Sequence, residues 1–263
     1  MSAFDHTSSS PYLVRGALAS YHRECPEKTA LLGPVGDHRL SAATALLSLE
    51  SIMNHLELTY AFDAYCGWCY GFGSAVRALA SDNADRLTIR VLSGGLFSGD
   101  RAQPIGAYPH IPGANRRISQ LTGVEFGAGY ERVLSEGTVV MDSMDAATGL
   151  VALRRQQPDA ALDFAGAMQR AWYVDGRSLS DVAVYRDIAA AHGIDADVVA
   201  KDLTDPAVRV EAERDIRELR RLGVDHYPTL LLHTGNGVQQ LGGAVSSAAT
   251  LNAALDQHLA RHQ

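Results

Sequence analysis

Two cysteines with two residues between them, Cys66-Gly67-Trp68-Cys69, stand where a strand pattern gives way to a helix pattern. Ahead of the pair, Leu56, Leu58, Tyr60 and Phe62 alternate with Glu57, Thr59 and Ala61, the period-2 pattern of a strand with one buried face. Behind it, Phe72, Val76 and Leu79 recur at helical spacing. Cys66 therefore falls at a helix N-terminus, where unpaired N–H groups and the macrodipole favour a thiolate. Cys69 follows about one turn in, close enough to close a disulfide with Cys66. This spacing predicts a thiol–disulfide redox centre.

The rest of the chain limits the alternatives. A length of 263 residues buries a full core and fits one large domain or two small ones. The net charge of -7, without a long basic cluster, argues against nucleic acid as a partner. No apolar run reaches membrane-spanning length. Residues 1–10 lack the basic start and apolar stretch of a secretory signal, so the chain is expected in the cytoplasm. With three cysteines, two of them in the pair, this is no disulfide-stapled secreted fold, and Cys25 reads as an incidental thiol. A zinc site would need a second CxxC or a matching histidine pair, and the sequence has neither. Neither a metal nor another cofactor is expected.

Residues 1–52 read as a poorly patterned extension, broken by Ser10-Pro11, Cys25-Pro26 and Gly33-Pro34, with a short helix suggested only over Ala42 to Leu49. After the paired cysteines and their helix, Leu87, Ile89 and Val91 alternate as a second strand, parallel to the first through a right-handed crossover. A loop is expected from Ser93-Gly94-Gly95 through Pro112-Gly113. Residues 113–200 carry almost only helical patterns and are expected to form an all-helical insertion. Asp205-Pro206 then starts a helix that stops at Gly223. A buried run from Thr229 turns at Gly235-Asn236-Gly237 into a further strand, and Ser246 or Ser247 caps a last helix carrying Leu251, Leu255 and Leu259. Segments 53–112 and 201–263 thus combine as βαβ followed by ββα, an α/β arrangement of the thioredoxin-like kind.

On these residues the chain resembles DsbA-like thioredoxin-fold proteins, in particular the bacterial branch described as predicted protein-disulfide isomerases. The resemblance lies in YAFDAYCGWCYGFG at 60–73, in Gly94-Gly95-Leu96, in Tyr173-Val174-Asp175-Gly176 and in Tyr227-Pro228, and covers about residues 55 to 260. It implies that Cys66 is the nucleophile and Cys69 the resolving thiol, acting through a mixed disulfide. Cys66 is expected to be exposed at the helix start, with Cys69 already partly covered. It also implies a cis Pro228 against the cysteines, with the Tyr227 backbone offered to an extended substrate as in strand addition.

Gly67 and Trp68 supply neither the proline of reducing sites nor the histidine of strongly oxidising ones. The site should therefore be less oxidising than the periplasmic oxidant at about −120 mV. Trp68 is a candidate substrate contact or a packing residue. Asp63 is a candidate for proton transfer or a loop-capping carboxylate. His226 reads as a solvated loop residue. The expected partners are cysteine-containing polypeptides or small thiols and disulfides, with glutathione or a thioredoxin-type donor.

Two other readings stay open. A glutathione-dependent isomerase or transferase of the kappa or hydroxychromene-carboxylate type would carry serine in place of Cys66. A non-catalytic peptide-binding module would use only the apolar surface around the cysteines.

Overall fold

The computed structural model describes residues 55–262; the extension over 1–52, its helix at Ala42 to Leu49, and Cys25 lie outside them. The first alternating segment forms β1 (Leu56–Phe62), followed by α1 (Gly67–Asp82) and β2 (Leu87–Ser93). The chain returns as β5 (Thr229–Thr234) and β6 (Gly237–Gln240), giving a four-stranded sheet in the order β2-β1-β5-β6. β1 runs parallel to β2, with Tyr60 opposite Val91, and antiparallel to β5, with Tyr60 opposite Leu230.

The expectation of one buried face on β1 needs correction. Leu58, Tyr60 and Phe62 enter the main core, but Thr59 and Ala61 are buried as well. An interior strand in a sheet covered on both faces has no solvated side. Ala61 joins Leu92, Leu231, Leu219 and Val224 in a second, smaller core, while the larger side chains meet α1 on the opposite face.

Between β2 and β5 come α2 (Ile111–Thr122), α3 (Ala128–Glu136), α4 (Ser143–Gln156), α5 (Ala161–Tyr173), α6 (Val182–Ala191), α7 (Ala196–Asp202) and α8 (Pro206–Arg221). Two expectations fail here. The segment through Pro112-Gly113 is not all loop, because α2 already begins at Ile111 and Pro112 sits in its first turn. A proline costs little there, since its missing N–H would be unpaired anyway. Nor is the insertion wholly helical: β4 (Val140–Met141) pairs antiparallel with β3 (Gln103–Pro104). Strands of two residues leave almost no periodicity to read.

The caps match their sequence signals. The Asp205 side chain accepts the Ala207 N–H, and Asp142 caps α4 by accepting from Met144 and Asp145. The last helix, α9 (Ala248–His262), buries Leu251 and Leu255 and follows Ser247, whose hydroxyl accepts the Thr250 N–H. No described helix is long and apolar enough to cross a membrane.

Two tertiary contacts hold the helical block in register. Arg154 on α4 makes a two-pronged pair with Asp215 on α8, at 2.7 and 3.0 Å, and also donates to the Val91 carbonyl of β2. Asp215 is only 5% exposed, so removing its partner strands a buried charge. Arg154→Met is expected to destabilise the protein by about 3 kcal/mol or more, read from urea denaturation.

The second contact is a backbone-to-backbone approach. A Cβ on Gly129 would overlap the Asp175 carbonyl, and one on Gly176 would overlap the Gly129 carbonyl. Gly176 also has φ 69, a left-handed conformation that other residues adopt at a cost. Because rigid backbone stands on both sides, Gly129→Ala should cost about 2–4 kcal/mol in the same assay.

Candidate active site

Cys66 is the N-cap of α1, with extended backbone, and no side chain caps the first turn. Its neighbouring N–H groups therefore stay available, and the positive end of the helix dipole lies at the sulfur. The expectation of an exposed Cys66 is corrected: the residue is 5% accessible, against 0% for Cys69. Its cover comes partly from the loop before β5, where the Cys66 Sγ donates to the Tyr227 carbonyl at 3.5 Å. The Tyr227–Pro228 peptide is cis, Pro228 is buried and Tyr227 half-buried. Residues 161 positions apart in sequence thus meet at the nucleophile candidate.

Cys69 lies deeper. Burial, together with the adjoining Cys66 thiol, pushes its own thiol well above the usual range. The Asp63 N–H points at its sulfur from 3.5 Å, and the Tyr60 hydroxyl donates to its carbonyl at 3.3 Å.

Asp63 is fully buried at the end of β1. Its Oδ1 accepts the Tyr65 N–H at 3.0 Å and its Oδ2 the Leu96 N–H at 2.8 Å. The nearby Ser143 hydroxyl, at the start of α4, also favours the ionised form. These bonds favour the anion, but loss of solvation outweighs them and the carboxyl is pushed up to about 6. Asp63 therefore caps the loop through the Tyr65 and Leu96 amides, with a carboxyl that titrates well above the ordinary carboxylate range.

Trp68 is half-buried and packs against the main core. His226 is exposed and pairs with the neighbouring Asp225, away from the sulfurs. Tyr65 and Phe72 are core residues, whereas Tyr70 is half-buried and stacks on Tyr173 at 4.7 Å. Among the described residues, no group of three or more His, Cys, Asp or Glu side chains could hold a metal ion.

Sequence reasoning gave no site residue to the helical block, yet that block shapes the site. A Cβ on Gly67 would lie 2.8 Å from Ile118 Cδ1 and 3.4 Å from Asn115 Oδ1, both on α2, and 3.9 Å from the Tyr173 hydroxyl. Gly67 is small because the insertion docks directly on the dithiol turn. No sequence signal marked Asn115 or Ile118. Ser143 had a weak one, as the first residue after an aspartate N-cap.

A strand leading into a dithiol at a helix start, with a cis-proline loop facing the first sulfur, defines the thioredoxin-fold class. A DsbA-like thioredoxin domain model matches residues 57–255, and the chain belongs to that family. No curated protein sequence matches it. Among solved structures, a Nitrosomonas europaea protein provisionally named a protein disulfide isomerase is 22% identical, with a TM-score of 0.70 over 80% of this chain and 100% of its own.

The cytosolic disulfide reductase DsbM from Pseudomonas aeruginosa is 27% identical, with a TM-score of 0.68 over 78% of this chain and all of its own. A second structure of DsbM, with glutathione, is 28% identical with a TM-score of 0.66 over the same shares. A 2-hydroxychromene-2-carboxylate isomerase shares the fold alone, at 16% identity and a TM-score of 0.53 over 78% of this chain and 95% of its own.

Proposed function

We propose that this protein is a cytoplasmic thiol–disulfide oxidoreductase that reduces or isomerises disulfides through Cys66 and Cys69. The observation that carries the reading is the asymmetry of the pair. Cys66 stands at the open start of a helix facing a backbone carbonyl, and Cys69 lies buried beside an acid that titrates near neutrality. The Cys66 thiolate attacks one sulfur of a substrate disulfide, forming a mixed disulfide and expelling the other sulfur as a thiolate that takes up a proton. Asp63 accepts the Cys69 proton. Cys69 then attacks Cys66, releasing the second substrate thiol and leaving a Cys66–Cys69 disulfide. Two electrons pass to the substrate. Two molecules of glutathione, or one thioredoxin-type dithiol, return the pair to the reduced state.

In this reading Tyr227 offers its backbone to an extended polypeptide, Pro228 fixes the loop, and Trp68 flanks the entrance. The similarity to a cytosolic reductase that has a glutathione-bound structure supports the compartment, the reducing direction and the donor. Cysteine rather than serine at position 66 weighs against the glutathione-dependent isomerase reading.

The test is equilibration of the protein in glutathione redox buffers, with the oxidised fraction of Cys66–Cys69 read by mass. A reductant should give a potential nearer thioredoxin's, about −270 mV, than the periplasmic oxidant's, about −120 mV. A pair that never forms a disulfide across that range would leave only the peptide-binding module.

A further inference from the structure

The loop facing Cys66 is held by a contact that the mechanism above does not use. The Tyr227 ring lies across Gly94, where a Cβ would overlap the ring and stand 2.7 Å from its phenol oxygen. Gly94 is itself fixed, because its N–H donates to the Phe62 carbonyl at the end of β1. The next residue is anchored too, the Gly95 carbonyl accepting Arg101 at 3.0 Å. The amide after that, Leu96 N–H, donates to Asp63, whose own N–H faces the Cys69 sulfur. On the far side of the loop, the Thr229 hydroxyl donates to the His226 carbonyl at 2.9 Å. One glycine turn therefore touches both ends of the site: through Tyr227 it reaches Cys66, and through Asp63 it reaches Cys69.

We propose that the Tyr227 side chain is a positioning residue, which registers its own backbone carbonyl and N–H for polypeptide substrates by seating on Gly94. The proposal rests on the oxidoreductase reading and deepens it by separating two substrate classes. An extended polypeptide that pairs with the Tyr227 backbone needs that backbone in register. A small disulfide needs only access to the Cys66 sulfur. The seated ring thus favours polypeptide disulfides over small ones.

Tyr227→Ala removes the ring. It should lower the ratio of kcat/KM on a disulfide-containing peptide to kcat/KM on bis(2-hydroxyethyl) disulfide by about tenfold, as expected when a substrate-positioning contact is lost. The loss should be carried by KM for the peptide. Gly94→Ala should lower the same ratio by displacing the ring. In a Tyr227→Ala background, Gly94→Ala should add almost nothing, because the overlap is gone.

An unmoved ratio in Tyr227→Ala, with exchange still dependent on Cys66, would overturn the role of Tyr227 and leave the oxidoreductase reading standing. So would a loss carried by kcat alone, or full additivity of the Gly94 and Tyr227 changes. If the wild-type protein showed no Cys66-dependent exchange with either disulfide, the functional reading itself would fall.

Discussion

Replacing Cys66 with serine is expected to bring disulfide reduction and isomerisation down to the uncatalysed background, a loss on the order of a thousandfold or more. A hydroxyl in that position neither ionises at neutral pH nor forms a reversible bond to sulfur. Cys69→Ser should behave differently. Cys66 still attacks, but no buried thiol remains to displace the substrate, so mixed disulfides accumulate. Non-reducing electrophoresis after incubation with a disulfide-containing peptide distinguishes the two, with an adduct in Cys69→Ser and none in Cys66→Ser. Full activity in Cys66→Ser, or an adduct mapped to Cys69 in the wild type, would reverse the assignment of nucleophile and resolving thiol.

The second large effect belongs to Asp63. Its folded carboxyl is raised from 3.8 to about 6 by burial, so between those pH values the native state holds a proton that the unfolded chain has lost. The native state binds more protons there, and stability therefore falls as pH rises through that window and is lowest, for this group, above about 6. The full span is on the order of 3 kcal/mol. Asp63→Asn removes this dependence. In urea denaturation the stability difference between variant and wild type should accordingly shift in the variant's favour from pH 4 to pH 7.

In the proposed mechanism Asp63 takes the Cys69 proton, so the same titration should govern the resolving step. The rate at which Cys69 expels thionitrobenzoate from a Cys66 mixed disulfide should rise with pH about a midpoint near 6 in the wild type. In Asp63→Asn it should be slower by about a hundredfold at neutral pH and lack that inflection. An unchanged pH profile would reduce Asp63 to a cap for the Tyr65 and Leu96 amides.

Much of this site was legible from residue order. The alternation into Phe62, the helical spacing of Phe72, Val76 and Leu79 and the Asp205-Pro206 start are local signals, and local signals survive in sequence because they act over one or two turns. Tyr227-Pro228 was legible only through the family resemblance, since nothing in the intervening chain says that it returns to Cys66. Other features were misread for identifiable reasons. β1 looked half-solvated because Thr59 and Ala61 are small and weakly apolar, yet Ala61 packs with Leu219 of α8 and Thr59 is buried beside His233 of β5. Cys66 looked exposed because a helix start usually is, yet the Tyr227 loop lies over it. β3 and β4 were missed because two-residue strands are defined by their partner and not by their own pattern.

By itself the sequence determined where the two cysteines stand. The strand-to-helix junction fixes which sulfur lies at the helix end and which lies one turn in, because both follow from spacing along one continuous stretch of backbone. Only the tertiary structure decided what surrounds those atoms. Asp63 lies under Cys69, the Tyr227 carbonyl against Cys66, and Asn115 and Ile118 against Gly67, because strands and helices distant in sequence pack there. Desolvation, hydrogen bonds and steric fit are properties of that packing, and these are what tune a thiol and select its substrate.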